Sequence, residues 1–555
     1  MNKKVCSFPI LFALLALLIG TCAVVFPASA QAAPTSTGSI TVSGTVARSY
    51  GAYQIFSANV VDGDSDAKIA TDLAWASDDV CDAALPVLHS AGMPKSQTTA
   101  QEAAEWLNAD SHLTSALSAQ LARSLQSSGA VPVALNAGTT AELPCGYWLI
   151  VADDDAIAQD QAGTAPIMTL VGGGAVTVKP KAATPKVSKR VLEDGTAAWQ
   201  KAADATVGDD LYWRLSATVP AGLSAYDTYT VQFVDTMGAG LDPSRVAASM
   251  RVYAAAGADG GFDAVPAGKD GRAGTEPAKG WTDITAQCAT KVAADGTFTV
   301  RTGDLIAALG GADAFTAGAR VVAVYNAPLN GACNHGIAKG NPNEVYLRYP
   351  RSPFADQSGD AGFTRTPSDD ATAYTWDLAL TKRGSDGDKP LAGAVLSIAD
   401  DRGRTLAADG AWDAEGKATV TTGEDGRVTV SGVDSGKLEV RELKAPKGYT
   451  AFEGTRSVTV KAEGLDVDQV AAAKPKLTIT AESPLRADSA DGSTGSLEAS
   501  LINTPTGTPP SITTGGFMPS TGDMAMYAAA AAAVAGAALI VVALLVKRGG
   551  GSHKE

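Results

Sequence analysis

Trp376-Asp377-Leu378-Ala379-Leu380-Thr381-Lys382 and Ala499-Ser500-Leu501-Ile502-Asn503-Thr504-Pro505 bracket a stretch of short strand-like runs. Between them lie Leu391-Ala392-Gly393-Ala394 and, later, Leu438-Glu439-Val440-Arg441-Glu442-Leu443-Lys444-Ala445-Pro446-Lys447-Gly448-Tyr449. Several short strands joined by turns predict a β-sandwich over residues 373–505.

The same pattern extends toward the N-terminus. Leu211–Leu215, Tyr229–Val234, Val321–Tyr325 and Val345–Tyr349 alternate, and the turn-rich stretch Gly257–Gly274 interrupts them. A second sandwich is expected over 185–355. Residues 35–181 form a first unit, with strand-like runs at Ser39–Ser43, Ala52–Phe56, Gly146–Val151 and Val176–Lys181. Ala103, Trp106, Leu107, Leu113, Leu117, Leu121 and Leu125 recur at helical spacing, which predicts a helical insert between Thr98 and Leu125. A chain of 555 residues exceeds what one hydrophobic core can serve. The fold class is therefore mainly β, with three tandem Ig-like or β-sandwich domains, the first carrying a helical insert.

The two ends carry export signals. Lys3 and Lys4, the apolar run Phe8–Phe26 and Ala28-Ser29-Ala30 read as a signal peptide over residues 1–30, cleaved after Ala30 or, second, after Ala32. At the other end a Pro/Thr/Gly-rich linker (506–517) precedes Met518-Pro519-Ser520-Thr521-Gly522. Residues 524–546 are apolar enough to form a transmembrane helix, and the tail 547–555 begins with Lys547-Arg548. Export places Cys81, Cys145, Cys288 and Cys333 in an oxidising setting. Four cysteines allow three pairings, and neighbouring positions favour Cys81–Cys145 and Cys288–Cys333. A net charge of −15 with no basic stripe excludes nucleic acid as a partner.

The pentapeptide, apolar span and basic tail resemble the tripartite sortase signal, usually Leu-Pro-x-Thr-Gly, with Met518 in place of Leu. That resemblance implies cleavage between Thr521 and Gly522. Val176-x-Val178-Lys179-Pro180-Lys181 resembles the Val-x-Val-Tyr-Pro-Lys pilin motif of sortase-assembled shaft (backbone) pilins. Here Lys179 replaces Tyr, and the family's upstream Trp is missing. The resemblance implies that Lys181 resolves the sortase acyl-enzyme, with Lys179 the competing amine.

Val187-Ser188-Lys189-Arg190-Val191, Val234-Asp235-Thr236 and Asn343-Glu344-Val345-Tyr346-Leu347 resemble the isopeptide-forming domain of such pilins. This implies a Lys189–Asn343 bond beside Asp235. The bracketing stretches of the third unit resemble the Cna protein B-type domain and its E-box, with Leu438 and Val440 in place of Tyr and Leu. They imply a Lys382–Asn503 bond with Glu442 as the buried acid. Burial favours the neutral amine and the neutral carboxyl group that such chemistry needs.

The implied role is a structural shaft subunit, secreted and wall-anchored through a transient membrane intermediate. Its implied partners are sortase, identical subunits, minor pilins, peptidoglycan and a host surface ligand. The alternative is a minor pilin or a monomeric wall-anchored adhesin. No catalytic cluster for an enzyme stands out, and neither cofactor nor metal is expected. The run Asp62–Asp66 is no calcium loop, since Ala67 and Leu73 stand at the sixth and twelfth positions that need Gly and Glu, and Gly172–Gly174 lacks the Lys-Ser/Thr of a phosphate loop. His89, His112, His335 and His553 read as surface residues.

Overall fold

Among the described residues, alternating apolar and polar positions form six sheets stacked in three pairs. The computed structural model describes residues 36–44, 48–62, 68–109, 112–153, 157, 159–180, 184–259, 261–262, 279–315 and 317–507. The signal region, Lys181, the sorting pentapeptide and the apolar span with its basic tail lie outside the described residues.

The first unit packs a three-stranded sheet (Thr140–Pro144, Thr37–Val42, Val176–Val178) near a five-stranded one centred on Ser49–Asp62 and Gly146–Ala152. Three helices, Asp78–Ser90, Ala100–Asn108 and Ser115–Ser128, cover the larger sheet. Ser77, Thr99 and Thr114 cap their N-termini, and Thr99 closes a capping box with Glu102. The helical insert thus begins some twenty residues before the expected Thr98. The first helix escapes periodicity because Pro86 lies inside it and its buried face is mostly small: Val80, Ala83, Ala84 and Leu88.

The second unit pairs a six-stranded sheet (Ala198–Gln200, Lys186–Glu193, Tyr212–Val219, Ala319–Asn326, Arg251–Ala256, Thr282–Asp283) with a seven-stranded one. That second sheet contains Asn341–Pro350, Gln232–Met237 and, at 202–204 and 369–374, an added parallel pair. The unit therefore closes at Tyr374, not at 355. In the third unit the first strand, Trp376–Gly384, runs parallel to the last, Ser496–Pro505, within a five-stranded sheet. The facing sheet is built around Val395–Ala399, Gly436–Lys444 and Thr455–Glu463.

The units grip one another. Ala162 of the first lies in the core of the second. The Tyr349 hydroxyl donates to the Gln161 carbonyl at 3.1 Å, and Arg123 pairs with Asp227. Between second and third, Asp204 Oδ2 accepts from Trp376 Nε1 at 2.6 Å and from the Ser435 amide at 2.9 Å. His335 Nδ1 meets Asp377 Oδ2 at 2.7 Å, so this histidine is an interdomain contact and not a plain surface residue. His112 is likewise engaged, stacked on Trp106 at 4.3 Å.

All four described cysteines are free thiols, so neither expected disulfide is formed. Cys81 opens onto a groove of the helical layer with Leu85, Pro86 and His89, whereas Cys145 is buried against Gly172. Cys288 donates to the Ile284 carbonyl at 3.3 Å, and burial pushes its thiol up to about 12. Cys333 packs instead against Gly240.

Beside the Asp204 hub, Glu193 is buried and accepts from the Asp204 and Gly195 amides, each at 3.2 Å. Burial, and next the Asp204 charge, push its carboxyl group from 4.5 to about 8. The folded chain then holds a proton that the unfolded chain has released. Stability should be intact below pH ~4.5 and fall as pH rises through ~8. Glu193→Gln should leave stability near wild type at pH 5 and raise it by at least about 1 kcal/mol at pH 8.5. Urea unfolding at both pH values checks this; identical pH slopes would refute it.

Candidate functional site

Two polar clusters sit inside otherwise apolar sandwiches. In the second unit Lys189 occupies an inward position of Lys186–Glu193, paired across the ladder with Leu215. Asp235 and Asn343 enter from the opposite sheet, on neighbouring strands whose register sets Asp235 against Val345 and Met237 against Asn343. Lys189, Asp235 and Asn343 are each 0% exposed. The structure thus brings together the three residues that the family resemblance implied.

The Lys189 amine hydrogen-bonds Asp235 Oδ2 and lies 2.9 Å from the Tyr325 hydroxyl. That hydroxyl donates to Asp235 Oδ2 at 3.1 Å and accepts from Asn343 Nδ2 at 2.9 Å. Trp213 and Tyr325 flank the amine, with ring centroids at 5.5 Å. Burial pulls the Lys189 ammonium down to about 8, against the opposing pull of Asp235. Burial likewise pushes Asp235 up, against the Lys189 charge. Asp235 Oδ1 and Asn343 Oδ1 are both buried without a hydrogen-bond partner. Two orphan acceptors in one dry site are costly unless one carries a proton.

The strand that carries Asn343 is not the final strand of its unit. Phe363–Arg365 and Asp369–Tyr374 follow it in the same sheet. The paired residues instead span the two sheets. Asp369 adds a tie of its own, accepting from the Lys189 amide at 2.7 Å.

In the third unit Lys382 and Asn503 lie on adjacent parallel strands, in a register that sets Lys382 beside Leu501 and Gly384 beside Asn503. Glu442 reaches them from the facing sheet. It follows Leu438 and Val440 at inward positions, so an acid stands where strand alternation calls for an apolar side chain. Its Oε1 is 3.3 Å from Lys382 Nζ, and its two oxygens accept from Asn503 Nδ2 at 2.9 and 3.0 Å. The Phe452 amide donates to Oε2 at 3.0 Å and holds the carboxylate in place. Burial pulls Lys382 down to about 8. Asn503 Oδ1 is again without a partner.

Sequence reasoning missed Tyr325. Its signal was available, since it shares the inward phase of Val321 and Ala323 and a buried phenol needs a hydrogen-bond partner. Lys179 is described and exposed, one residue after the strand Val176–Val178. Lys181, Thr521 and the rest of the sorting pentapeptide lie outside the described residues.

Residues 377–474 match the family described as SpaA, prealbumin-like fold domain. A stretch of 143 residues is 30% identical to the trypsin-resistant surface T6 protein of Streptococcus pyogenes serotype M6, covering 24% of either chain. The chain thus spans about a quarter of the length of that curated relative. Among solved structures, the T6 backbone pilin of the same serotype is 18% identical, covers 85% of this chain and 98% of its own, and has a TM-score of 0.46. The major pilin SpaD of Corynebacterium diphtheriae is 15% identical, with coverage of 86% and 100% and a TM-score of 0.42.

Asp235→Ala should leave the buried Lys189 amine with no carboxyl group facing it, costing about 3–5 kcal/mol relative to an uncross-linked variant with no ionisable group at the site. Lys189→Met combined with Asp235→Asn leaves no buried charge and should cost less than Asp235→Ala alone. Urea denaturation of the three proteins decides; a double variant weaker than the single one would rule out a charge pair.

Proposed function

We propose that this chain is a structural shaft subunit of a covalent, wall-anchored pilus, hardened by one internal lysine–asparagine amide in each of its second and third units. The observation that carries this reading is the duplicated cluster. Two buried lysines each face a buried carboxyl group and a buried asparagine with an orphan carbonyl oxygen. An ion pair alone would gain little from such burial. Single-turnover chemistry makes use of every group present.

The acid takes a proton from the lysine, and the neutral amine attacks the asparagine side-chain carbon. The protonated acid polarises the carbonyl, the C–N bond breaks, and ammonia leaves. Asp235 and Glu442 are the acids; Lys189–Asn343 and Lys382–Asn503 are the bonds. Each closes a long loop, which a chain-entropy estimate values at roughly 5 kcal/mol. The mechanical effect is larger, because tension entering through a terminal strand meets a covalent tie.

Polymerisation is external chemistry. Sortase, reading Met518–Gly522, would cleave after Thr521 and pass the threonyl group to Lys181 of the next subunit, with Lys179 the competing amine. The last subunit would go to peptidoglycan, and minor pilins and a host surface ligand complete the partners. The SpaA domain match and the kinship of one stretch to a streptococcal surface protein support surface placement. One observation favours the alternative, a minor pilin or monomeric wall-anchored adhesin: Lys179 stands where the pilin motif has Tyr.

Intact mass of the ectodomain, residues 31–517, should fall short of the sequence mass by two ammonia molecules; the full sequence mass would sink the internal bonds. Wall extracts from a sortase-competent host should give a boiling-resistant ladder that collapses to monomer in Lys181→Ala. A ladder that persists moves the linkage to another lysine, and no ladder in wild type favours the anchored monomer.

A further inference from the structure

We propose that Tyr325 is a catalytic residue of the second unit, a proton relay that carries the Asp235 proton to the departing nitrogen of Asn343. This rests on the reading that Lys189 and Asn343 form an amide.

The hydroxyl stands at the meeting point of all three reacting groups, 2.9 Å from Lys189 Nζ, 3.1 Å from Asp235 Oδ2 and 2.9 Å from Asn343 Nδ2. A phenol has one proton and two lone pairs. Here the proton goes to Asp235, and the lone pairs accept from Lys189 and Asn343. Its hydrogen-bonding capacity is fully used, and every partner is a reactant. The ring is 0% exposed and is held by the edge of Phe298 at 4.8 Å.

The third unit shows why such a relay is needed here. There the acid is a glutamate, and its carboxylate touches both Lys382 Nζ and Asn503 Nδ2 without an intermediary. Asp235 is one methylene shorter. The amide nitrogen of Asn343 is hydrogen-bonded to Tyr325, and the phenol in turn to Asp235. Aspartate plus tyrosine thus occupies the position that glutamate fills alone. Burial pushes the phenol well above its ordinary range, so it passes a proton on without resting as phenolate.

The protons balance. Lys189 begins as the ammonium and gives one proton to Asp235. The neutral amine attacks the Asn343 side-chain carbon. As the C–N bond breaks, Tyr325 gives its proton to Nδ2 and takes the one held by Asp235, which then accepts a second proton from the attacking nitrogen. The products are a secondary amide, ammonia, the phenol restored, and Asp235 protonated.

The test follows both bonds in one molecule. The ectodomain is made by cell-free translation, quenched at intervals and digested, and the two cross-linked peptides are quantified by mass spectrometry. Tyr325→Phe should slow the Lys189–Asn343 bond by about 100-fold or more and leave the Lys382–Asn503 bond at its wild-type rate. Asp235→Glu added to Tyr325→Phe should bring the bond back to within about tenfold of wild type, which a variant that merely misfolded would not do. A wild-type rate in Tyr325→Phe, or no recovery in the double variant, overturns the relay. Absence of the first bond in wild type overturns the cross-link itself, and the relay with it.

Discussion

A lysine amine taken out of water between two sheets sheds its proton unless a carboxyl group faces it, and a carboxyl group buried beside it is pushed the other way. Neither group can stay fully charged, and neither is neutralised outright. That tension organises the second unit, and burial pulls Lys382 of the third down in the same way. Trp213, Tyr325 and Phe298 keep water from Lys189, and the Phe452 amide fixes Glu442 against Lys382 and Asn503. Each of these two sandwiches is thus a hydrophobic core built around one buried polar cluster. The same apolar packing that stabilises the fold shifts Lys189 and Lys382 down and Asp235 up.

Much of this was legible in the residues. Strand alternation located most of the ladders, and Lys189, Asp235, Asn343, Lys382, Glu442 and Asn503 were each named from short motifs. The phase of Glu442 with Leu438 and Val440 makes its burial readable from alternation alone. What could not be read depends on distant partners. The first helix is short on large apolar residues and holds Pro86, so no periodic stripe announces it. The strand Asp369–Tyr374 pairs partly with Ala202–Asp204 far upstream, and nothing local to 355 says that the unit continues. Cysteine spacing suggested disulfides, but spacing carries no information on which layer each thiol occupies. Tyr325 looked like one more strand aromatic because its role lies in three partners from other strands.

The junctions are as specific as the cores. Ala162 of the first unit is packed within the second, and Asp204 gathers donors from both Trp376 and Ser435. Loop 335–338 of the second unit hydrogen-bonds along the third, with the Gly336 amide on the Thr375 carbonyl and the Ile337 amide on the Gly492 carbonyl. Gly336 and Gly495 meet so closely that a Cβ on Gly336 would lie 2.4 Å from the backbone opposite. Each neighbouring pair of units is thus tied by specific side-chain and main-chain contacts as well as by the connecting chain.

The parallel pairing of Trp376–Gly384 with Ser496–Pro505 has a further consequence. The chain enters that sheet at one end and leaves it at the other, so a pull on its termini loads the two strands in shear and cannot unzip them bond by bond. With Lys382 joined to Asn503, force runs along 376–382, crosses the amide, and exits through 503–505. Residues 383–502 are then bypassed and carry no load. The second unit is wired differently: beyond Asn343 the chain still runs to Tyr374, so its last strands remain in series with the pull. Within the second unit the stretch beyond Asn343 thus stays in the path of the pull, and there Asp369 ties the departing strand back to Lys189.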